Sequence, residues 1–456
     1  MAPRERAAYI LARLQRQVGY AYETSAFYRR LYDAHGVKPS DIRSLEDFTA
    51  RIPVVRKDML RVSQDTCPPF GDYLGAPASP LMRIQGTSGT TGHPTLFAIS
   101  RDDWDRIAEV QAMCFWTAGV RPGDLVQIAM PMGLFVGGWG ALQAAERIGA
   151  LVIPVGPGQA QRQVELMPRV GTTVLVATPT FALHLLEVAR ESGLTPKHWP
   201  VRLGIFIGEP GAGRQATKRL LEDGWGIKAI DGGNTAEVHP LTNIECEERR
   251  GMHAYLDVDY TEIVGVDDPH TQVAMGEPGA VVYTHLDRES QPMIRFWAGD
   301  LSRMTDEPCP CGRTYPRLPD GIIGRLDDLL IIRGAKIYPS AVQEALFEVT
   351  GHGREFRVVL SRRAGLDEAT IQVEDSGTED AATTGSAGDR RVEFRDRLAH
   401  HLRRRLGLRF GVEVVPPNSL PRFEAKARRV VDRRTENQPT EAPSTVAGDK
   451  RISERR

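Results

Sequence analysis

The chain has 456 residues, with 41% hydrophobic and 26% charged residues and a formal net charge of −1. That balance fits a globular protein of two or three domains and gives no basis for a nucleic-acid or anionic-membrane partner. No apolar run reaches the ~18 residues that span a bilayer, and five cysteines in so long a chain do not make a disulfide framework. The opening Met1–Arg6 leads into an amphipathic pattern and not into a signal peptide's apolar core, so a cytoplasmic protein is expected.

In chain order, residues 5–35 carry Ala8, Ile10, Leu11, Leu14 and Val18 at helical spacing. Tyr20, Tyr22, Phe27, Tyr28 and Tyr32 follow as packing residues. Ser44-Leu-Glu-Asp starts a short helix. Arg83–Thr95 then sets Gly86, Gly89 and Gly92 among the hydroxyls of Thr87, Ser88, Thr90 and Thr91. Glycine lets backbone N–H groups approach a bulky anion, and hydroxyls add donors, so the loop suits a nucleotide's polyphosphate. It lacks the Gly-Lys-Ser/Thr close of a Walker loop, and a Gly/Thr-rich surface turn is the competing reading. Strand-like Phe97–Ile99 leaves the loop, and Ser100 caps a helix over Trp104–Gly119.

From Leu125 the pattern alternates. Strands are expected at 125–130, 151–155, 174–177 and 203–207, with helices around 139–148, 161–170, 181–191 and 214–223. Near-continuous apolar strands between helices imply a buried parallel sheet, whose ligands bind beyond the strands' carboxyl ends. The informative loops are therefore Gly208–Gly213, with Glu209, and Asp231–Glu237. Beyond residue 250 the chain turns β-rich, at 254–258, 262–264, 280–284 and 294–297, with a tight turn at Gly276. A smaller unit follows from Gly324, with a helix over 340–349, strands near 355–361 and 369–374, a helix near 391–406 and an apolar stretch at 412–415. Residues 375–389 have loop composition, and the tail from about Thr435 lacks apolar content.

Gly86–Thr95, Gly133–Gly138, Asp231–Glu237, Ile294–Leu301, Gly324–Pro339 and Leu420–Val431 form an ordered series. On these motifs the chain resembles the adenylate-forming enzymes, and among them the phenylacetate–coenzyme A ligases, over roughly residues 5–434. The resemblance implies an α/β fold: a large N-terminal domain of mixed and parallel sheets flanked by helices, and a small mobile α+β C-terminal domain. The boundaries would be 1–323, 324–434 and a disordered tail, 435–456. It implies ATP-dependent conversion of an aryl or arylacetic acid to an acyl-adenylate, then transfer to coenzyme A. An amine or carrier-protein thiol as acceptor is a first alternative, and a non-catalytic nucleotide-binding homologue a second. No nucleic-acid or membrane partner is implied, and the assembly would be a monomer or homodimer.

The implied roles fall on matched positions. Gly86, Thr87, Ser88, Gly89, Thr90, Thr91 and Gly92 would hold the departing pyrophosphate. Asp300 would accept the ribose hydroxyls, Arg325 would contact ribose or phosphate, and Glu237 would help hold Mg²⁺. Glu209, Asp231 and Gly334 belong with the cofactor-binding positions. Lys426 would be the mobile cation that stabilises charge during adenylation. Asp327 would be the hinge, and Arg333 and Lys336 are candidate coenzyme A contacts or ordinary surface charges. Phe135, Gly137 and Gly138 would shape a flat acyl slot, unless they simply pack the core. Three positions depart from the family pattern: His93 stands where a lysine is usual, Gly233 where an aromatic ring lies against adenine, and Ala236 where a hydroxyl side chain is usual.

Cys309-Pro-Cys311, with Cys246 and His253, supplies a Cys₃His set for a structural zinc, although buried free thiols are also common. Cys67 and Cys114 have no evident partners and are expected in the core.

Overall fold

The computed structural model describes residues 3–87, 94–332, 335–351, 353–363, 366–375, 387–422 and 429–434. The chain opens with α1 (Pro3–Thr24), α2 (Ala26–Ala34), α3 (Leu45–Arg51) and α4 (Lys57–Thr66). The helix expected over 5–35 is two helices, because the Ser25 side chain caps Tyr28 N–H and starts the second. Ser44 and Ser100 cap as expected, bonding Asp47 N–H at 3.0 Å and Asp103 N–H at 3.2 Å.

An antiparallel hairpin, β1 (Leu81–Gly86) and β2 (Leu96–Ser100), precedes α5 (Arg101–Ala118). The alternation follows: β3 (Leu125–Ile128), α6 (Val136–Ile148), β4 (Leu151–Ile153), α7 (Ala160–Val170), β5 (Val174–Ala177), α8 (Pro179–Glu191), β6 (Leu203–Phe206), α9 (Gln215–Trp225) and β7 (Lys228–Gly233). Next come β8 (Asn243–Glu245), β9 (Met252–Ala254), β10 (Asp259–Val264), β11 (Pro278–His285), β12 (Phe296–Arg303), β13 (Arg317–Leu318) and β14 (Gly324–Arg325). The expected strand at 254–258 ends at Ala254; residues 256–258 are a turn, since the chain reverses there into β10.

One sheet runs β13-β9-β8-β7-β6-β5-β3-β4, with β7 through β4 parallel and the other three strands antiparallel. Leu175, Val176, Leu203 and Ile205 on its central strands are fully or almost fully buried, as a two-sided sheet requires. A second, antiparallel sheet runs β10-β11-β12-β14. One link to the N-terminal helices is Arg295, which is fully buried and left-handed at φ 48°. Arg295 bonds the Glu262 carboxylate at 3.1 Å and the carbonyls of Thr49, Ile52 and Pro269 at 2.7, 2.8 and 2.5 Å. Those charge-assisted bonds satisfy a cation that burial alone would penalise heavily.

The smaller lobe has β15 (Leu330–Ile332), β16 (Ala335–Ile337), α10 (Pro339–Thr350), β17 (Phe356–Arg363), β18 (Leu366–Glu374), α11 (Ala387–Leu406), β19 (Gly411–Val415) and β20 (Val430–Asp432). Its main sheet runs β19-β18-β17-β20. The lobe rests on the N-terminal end of α9. Glu344 of α10 accepts Ala216 N–H at 2.6 Å and Thr217 Oγ1–H at 3.3 Å, and Arg214 donates to Ser340 Oγ at 3.0 Å. The loop expected at 375–389 and the tail from Thr435 lie largely outside the described residues. Cys114 is buried as expected, but Cys67 is exposed, because it ends α4 at the surface. Among the described residues no helix is long and apolar enough to cross a membrane.

Candidate active site

The glycine–threonine loop springs from the β1–β2 hairpin. Thr87 N–H bonds Thr95 O at 3.1 Å and closes the stem, while Gly86 N–H bonds Leu134 O at 2.9 Å. That second bond ties the loop to the stretch holding Phe135, Gly137 and Gly138. Ser88, Gly89, Thr90, Thr91, Gly92 and His93 lie outside the described residues, as do Arg333, Gly334 and Lys426. Lys336 is exposed on β16.

Phe135 precedes the first turn of α6, and its ring lies over Gly137, where an added Cβ would come within 2.7 Å of Cε1. A Cβ added at Gly138 would come within 2.4 Å of Pro131 O. These glycines therefore serve close packing, and the phenylalanine covers the flat space they leave.

Glu237 follows β7 and is buried. Lys57 Nζ, from the start of α4, sits 2.7 Å from its Oε1, and Thr235 donates to its Oε2. Burial alone would raise this carboxyl's pKa; the Lys57 ammonium and the Thr235 hydroxyl outweigh burial and hold it below the usual carboxylate range. Sequence reasoning missed Lys57, since nothing in Arg56-Lys-Asp marks a partner 180 residues away. The backbone beside Glu237 is pinned twice. His285 Nδ1 accepts Met293 N–H at 2.9 Å, so its Nε2 donates to Val238 O at 2.9 Å, and Arg288 donates to the same oxygen at 3.1 Å. His239 bonds Asp259 at 2.7 Å. With both ring nitrogens engaged, His285 is no free metal ligand, although His239, Asp259 and His285 cluster closely.

Asp231 is buried beneath this loop. Its Oδ2 lies where a Cβ on either Gly213 or Gly321 would approach within 2.5 Å, so two glycines make room for it. Burial and then the Glu245 carboxylate push the Asp231 carboxyl up to about 8. Lys218 offsets Glu245 with a 2.6 Å bond. The Asp231 carboxylate lies against the loops that carry Gly213 and Gly321. Glu209 is half-buried and caps α8 by accepting Thr180 N–H at 2.8 Å.

Asp300 and Arg325 face each other across β12 and β14, with Nη1 of Arg325 3.0 Å from Asp300 Oδ1. Arg325 also reaches Asp327, whose side chain is 76% exposed in the turn between β14 and β15. Gly299 lies below, at φ 75°, where a side chain would meet Arg325 and Asp327.

Cys246, His253, Cys309 and Cys311 converge, with all donor atoms within 4.8 Å of one another. Cys246 Sγ lies 3.8 Å from Cys309 Sγ, and Cys311 Sγ lies 3.4 Å from His253 Nε2. A tetrahedral zinc has S···S edges of about 3.8 Å and S···N edges of about 3.5 Å, given Zn–S near 2.3 Å and Zn–N near 2.0–2.1 Å. The Cys246–Cys309 and Cys311–His253 separations match two edges of that polyhedron. β9 carries His253, and the β8–β9 pairing brings Cys246 beside it.

Residues 334–434 match the family model of the AMP-binding enzyme C-terminal domain. The chain is 37% identical to phenylacetate-coenzyme A ligase of Thermus thermophilus, over 92% of this chain and 95% of that one. It is 35% identical to the enzyme of the same name from Escherichia coli, over 92% and 93%. A crystal structure of 2-hydroxyisobutyryl-CoA ligase in the postadenylation state, with R3-HIB-AMP, superposes with a TM-score of 0.89 at 43% identity, covering 95% of this chain and 90% of that one. The same ligase in the thioesterification state, with 2-HIB-AMP and CoA, gives 0.71 at 44% identity, with 95% and 91% covered. The lobes here are thus arranged more as in the postadenylation state.

Proposed function

The chain belongs to the family of phenylacetate–coenzyme A ligases within the adenylate-forming enzymes, and on that premise we propose that it joins a carboxylic acid to coenzyme A through an acyl-adenylate, converting ATP to AMP and pyrophosphate. The observation that carries the reading is the bond from Gly86 N–H to Leu134 O. It joins the stem of the loop that would bind pyrophosphate to the stretch that would meet the acid, which supports the reading.

Residue roles follow within this proposal. The acid's carboxylate attacks the α-phosphorus, and pyrophosphate leaves toward Gly86–Gly92. Asp300, steadied by Arg325, takes the ribose hydroxyls. Glu237 and the phosphates would hold Mg²⁺, which offsets phosphate charge when bound; its two oxygens, met now by Lys57 and Thr235, are the acceptors a hard cation needs. Lys426 neutralises charge as the new P–O bond forms. Residues 1–323 would carry the nucleotide and acid, 324–434 the swinging lobe with its hinge at Asp327, and 435–456 a tail. Cys246, His253, Cys309 and Cys311 would hold a structural zinc, since four protein ligands leave no open position.

For the acid, the geometry favours a compact one. Phe135 covers the would-be slot, and the 43–44% identical solved ligase is named for 2-hydroxyisobutyrate. An aryl or arylacetic acid is the second reading, favoured by the names of the 32–37% identical relatives. A pyrophosphate-release screen over hydroxy and aryl acids, with and without coenzyme A, tests both. Thioester formation is the expected result. Adenylation without a thioester would shift the acceptor to an amine or carrier thiol, and silence with every acid would leave a nucleotide-binding homologue.

A further inference from the structure

The Cys₃His set and the loop that would hold the nucleotide stand on one sheet. β7 ends at Gly233 and leads into the loop that reaches Glu237; β8 pairs with β7, β9 with β8 and β13 with β9. Cys246 directly follows β8, His253 lies on β9, and Cys309 and Cys311 lie on the stretch that leads to β13. The donors meet one another through thiol contacts, Cys246 to Cys309 at 3.8 Å and Cys311 to His253 at 3.4 Å. A thiol is a weak hydrogen-bonding group, so the four donors hold one another loosely until a metal bonds them all.

Glu245, next in chain to Cys246, connects that set to the nucleotide loop. It is 3% exposed. Its Oε2 accepts Asp231 N–H at 3.0 Å and Lys218 Nζ at 2.6 Å, and its Oε1 accepts Gly251 N–H at 3.3 Å. Asp231 heads the nucleotide loop, and Gly251 ends the turn that runs from Cys246 back toward His253. Within that turn Arg249 N–H bonds Cys246 O at 2.9 Å, and Gly251 is left-handed at φ 96°. Arg317 bonds both Arg250 O and, at 2.9 Å, Glu307 O, joining the turn to the stretch that carries Cys309 and Cys311. Met252, beside His253, is a second connection: a Cβ at Gly233 would lie 4.0 Å from its Sδ. Buried and bonded on both oxygens, Glu245 cannot follow a shift of the turn without giving up Asp231 N–H, and a buried N–H left unmet is costly.

We propose that Glu245 is a positioning residue through which the Cys₃His set holds the nucleotide loop in place, so that zinc occupancy and ATP affinity are coupled. This rests on the ligase reading and on zinc in that set, and gives the zinc a part in nucleotide binding beyond stabilising the fold. Cys246, His253, Cys309 and Cys311, fixed on one metal, fix both ends of the turn; Glu245 then presents its carboxylate to Asp231 N–H. With the set released, the turn and Glu245 shift together, and the loop from Asp231 to Glu237 loses its brace.

The test titrates ATP with excess Mg²⁺ into the purified protein by calorimetry, with zinc content measured at each stage. Stripping zinc with a chelator should weaken ATP binding about fivefold or more, and returning zinc should restore it. In zinc-loaded protein Glu245→Gln leaves one acceptor oxygen where two are used, and should weaken ATP binding to a like extent. Stripping zinc from that variant should then add less than about twofold, because both changes act through one connection. A thermal melt checks folding. Should the stripped protein or the variant fail to fold, the wild type supplies the measurement: linkage is reciprocal, so saturating ATP must raise zinc affinity by the same factor in competition with a chelator. ATP affinity unmoved by zinc loss, or independent effects of the two changes, would make the zinc a brace for the fold alone and overturn the coupling. Zinc affinity unmoved by ATP, or a protein that neither contains nor takes up zinc, would overturn it too. Zinc-loaded protein that binds no ATP would sink the ligase reading, and the coupling with it.

Discussion

Replacing Lys57 by methionine probes the electrostatics of the Glu237 site. The Glu237 side chain is 4% exposed and Lys57 38% exposed, with 2.7 Å between charges. Removing one partner of a fully buried pair costs about 3–5 kcal/mol, whereas exposed pairs contribute only about 0.2–1 kcal/mol. With one partner buried and the other more than a third exposed, about 1–2 kcal/mol is the fitting estimate. At roughly 2–4 °C per kcal/mol for domains of this size, Tm should fall by roughly 2–8 °C at pH 7.5. The sign with pH follows from Glu237's depressed pKa. In the wild type its contribution is present above the ordinary carboxylate pKa and fades as pH falls through the lower folded value. In Lys57→Met burial acts nearly unopposed, so the folded pKa rises above the ordinary value and the penalty disappears as Glu237 protonates. The gap in Tm should therefore be widest at neutral pH and shrink toward pH 4.5. Thermal unfolding of both proteins across pH 4.5–8, repeated in a Glu237→Gln background where the gap should collapse, measures this. A gap that is constant with pH, or that survives in Glu237→Gln, would refute the reasoning.

Other outcomes follow from the same structure. Metal analysis of the purified protein should find one zinc per chain, and Cys309→Ser should lose it together with several degrees of Tm; a metal-free protein as stable as its serine variant would remove the site. Lys426→Ala should abolish pyrophosphate release from free acid yet spare thioester formation from supplied acyl-adenylate, which stopped-flow assays of the two half-reactions separate. Glu344→Ala strips the carboxylate that caps α9 from the opposite lobe. A cap of that kind contributes about 1 kcal/mol, so lobe populations should shift about fivefold; small-angle scattering and opposite changes in the two half-reaction rates would register it, and equal changes in both would argue against it.

The parallel sheet was legible because its strands are short apolar runs set between amphipathic helices, so Leu125, Val174 and Leu203 all begin strands where the alternation expects them. The caps at Ser44 and Ser100 were legible for the same reason: capping is local chemistry. The break at Ser25 was masked by an aromatic run that continues helical spacing on both sides. Cys67 looked like core because isolated cysteines usually are, and exposure depends on what α4 packs against. At the site, Glu237, Asp300 and Arg325 stood out through motif order. Lys57 did not, since its meaning lies in pairing with Glu237 across 180 positions of chain, and no spacing rule encodes that. The glycines beside Phe135 were visible, but what fills the space above them is a rotamer, which sequence does not specify.

Arg295 also bears on the order in which the protein can be made. Its guanidinium bonds the carbonyls of Thr49 and Ile52, 246 and 243 positions earlier. Gln17, Tyr20 and Tyr28 likewise reach the carbonyls of Arg288, Glu289 and Pro292. The first helices to leave the ribosome thus have no destination until more than half the chain has emerged, and contacts of such long separation form slowly. At 5–20 residues per second of synthesis, roughly 10–50 s pass with those apolar faces uncovered. Nascent chains stalled before position 288 should therefore occupy chaperones, and those released beyond 303 should not.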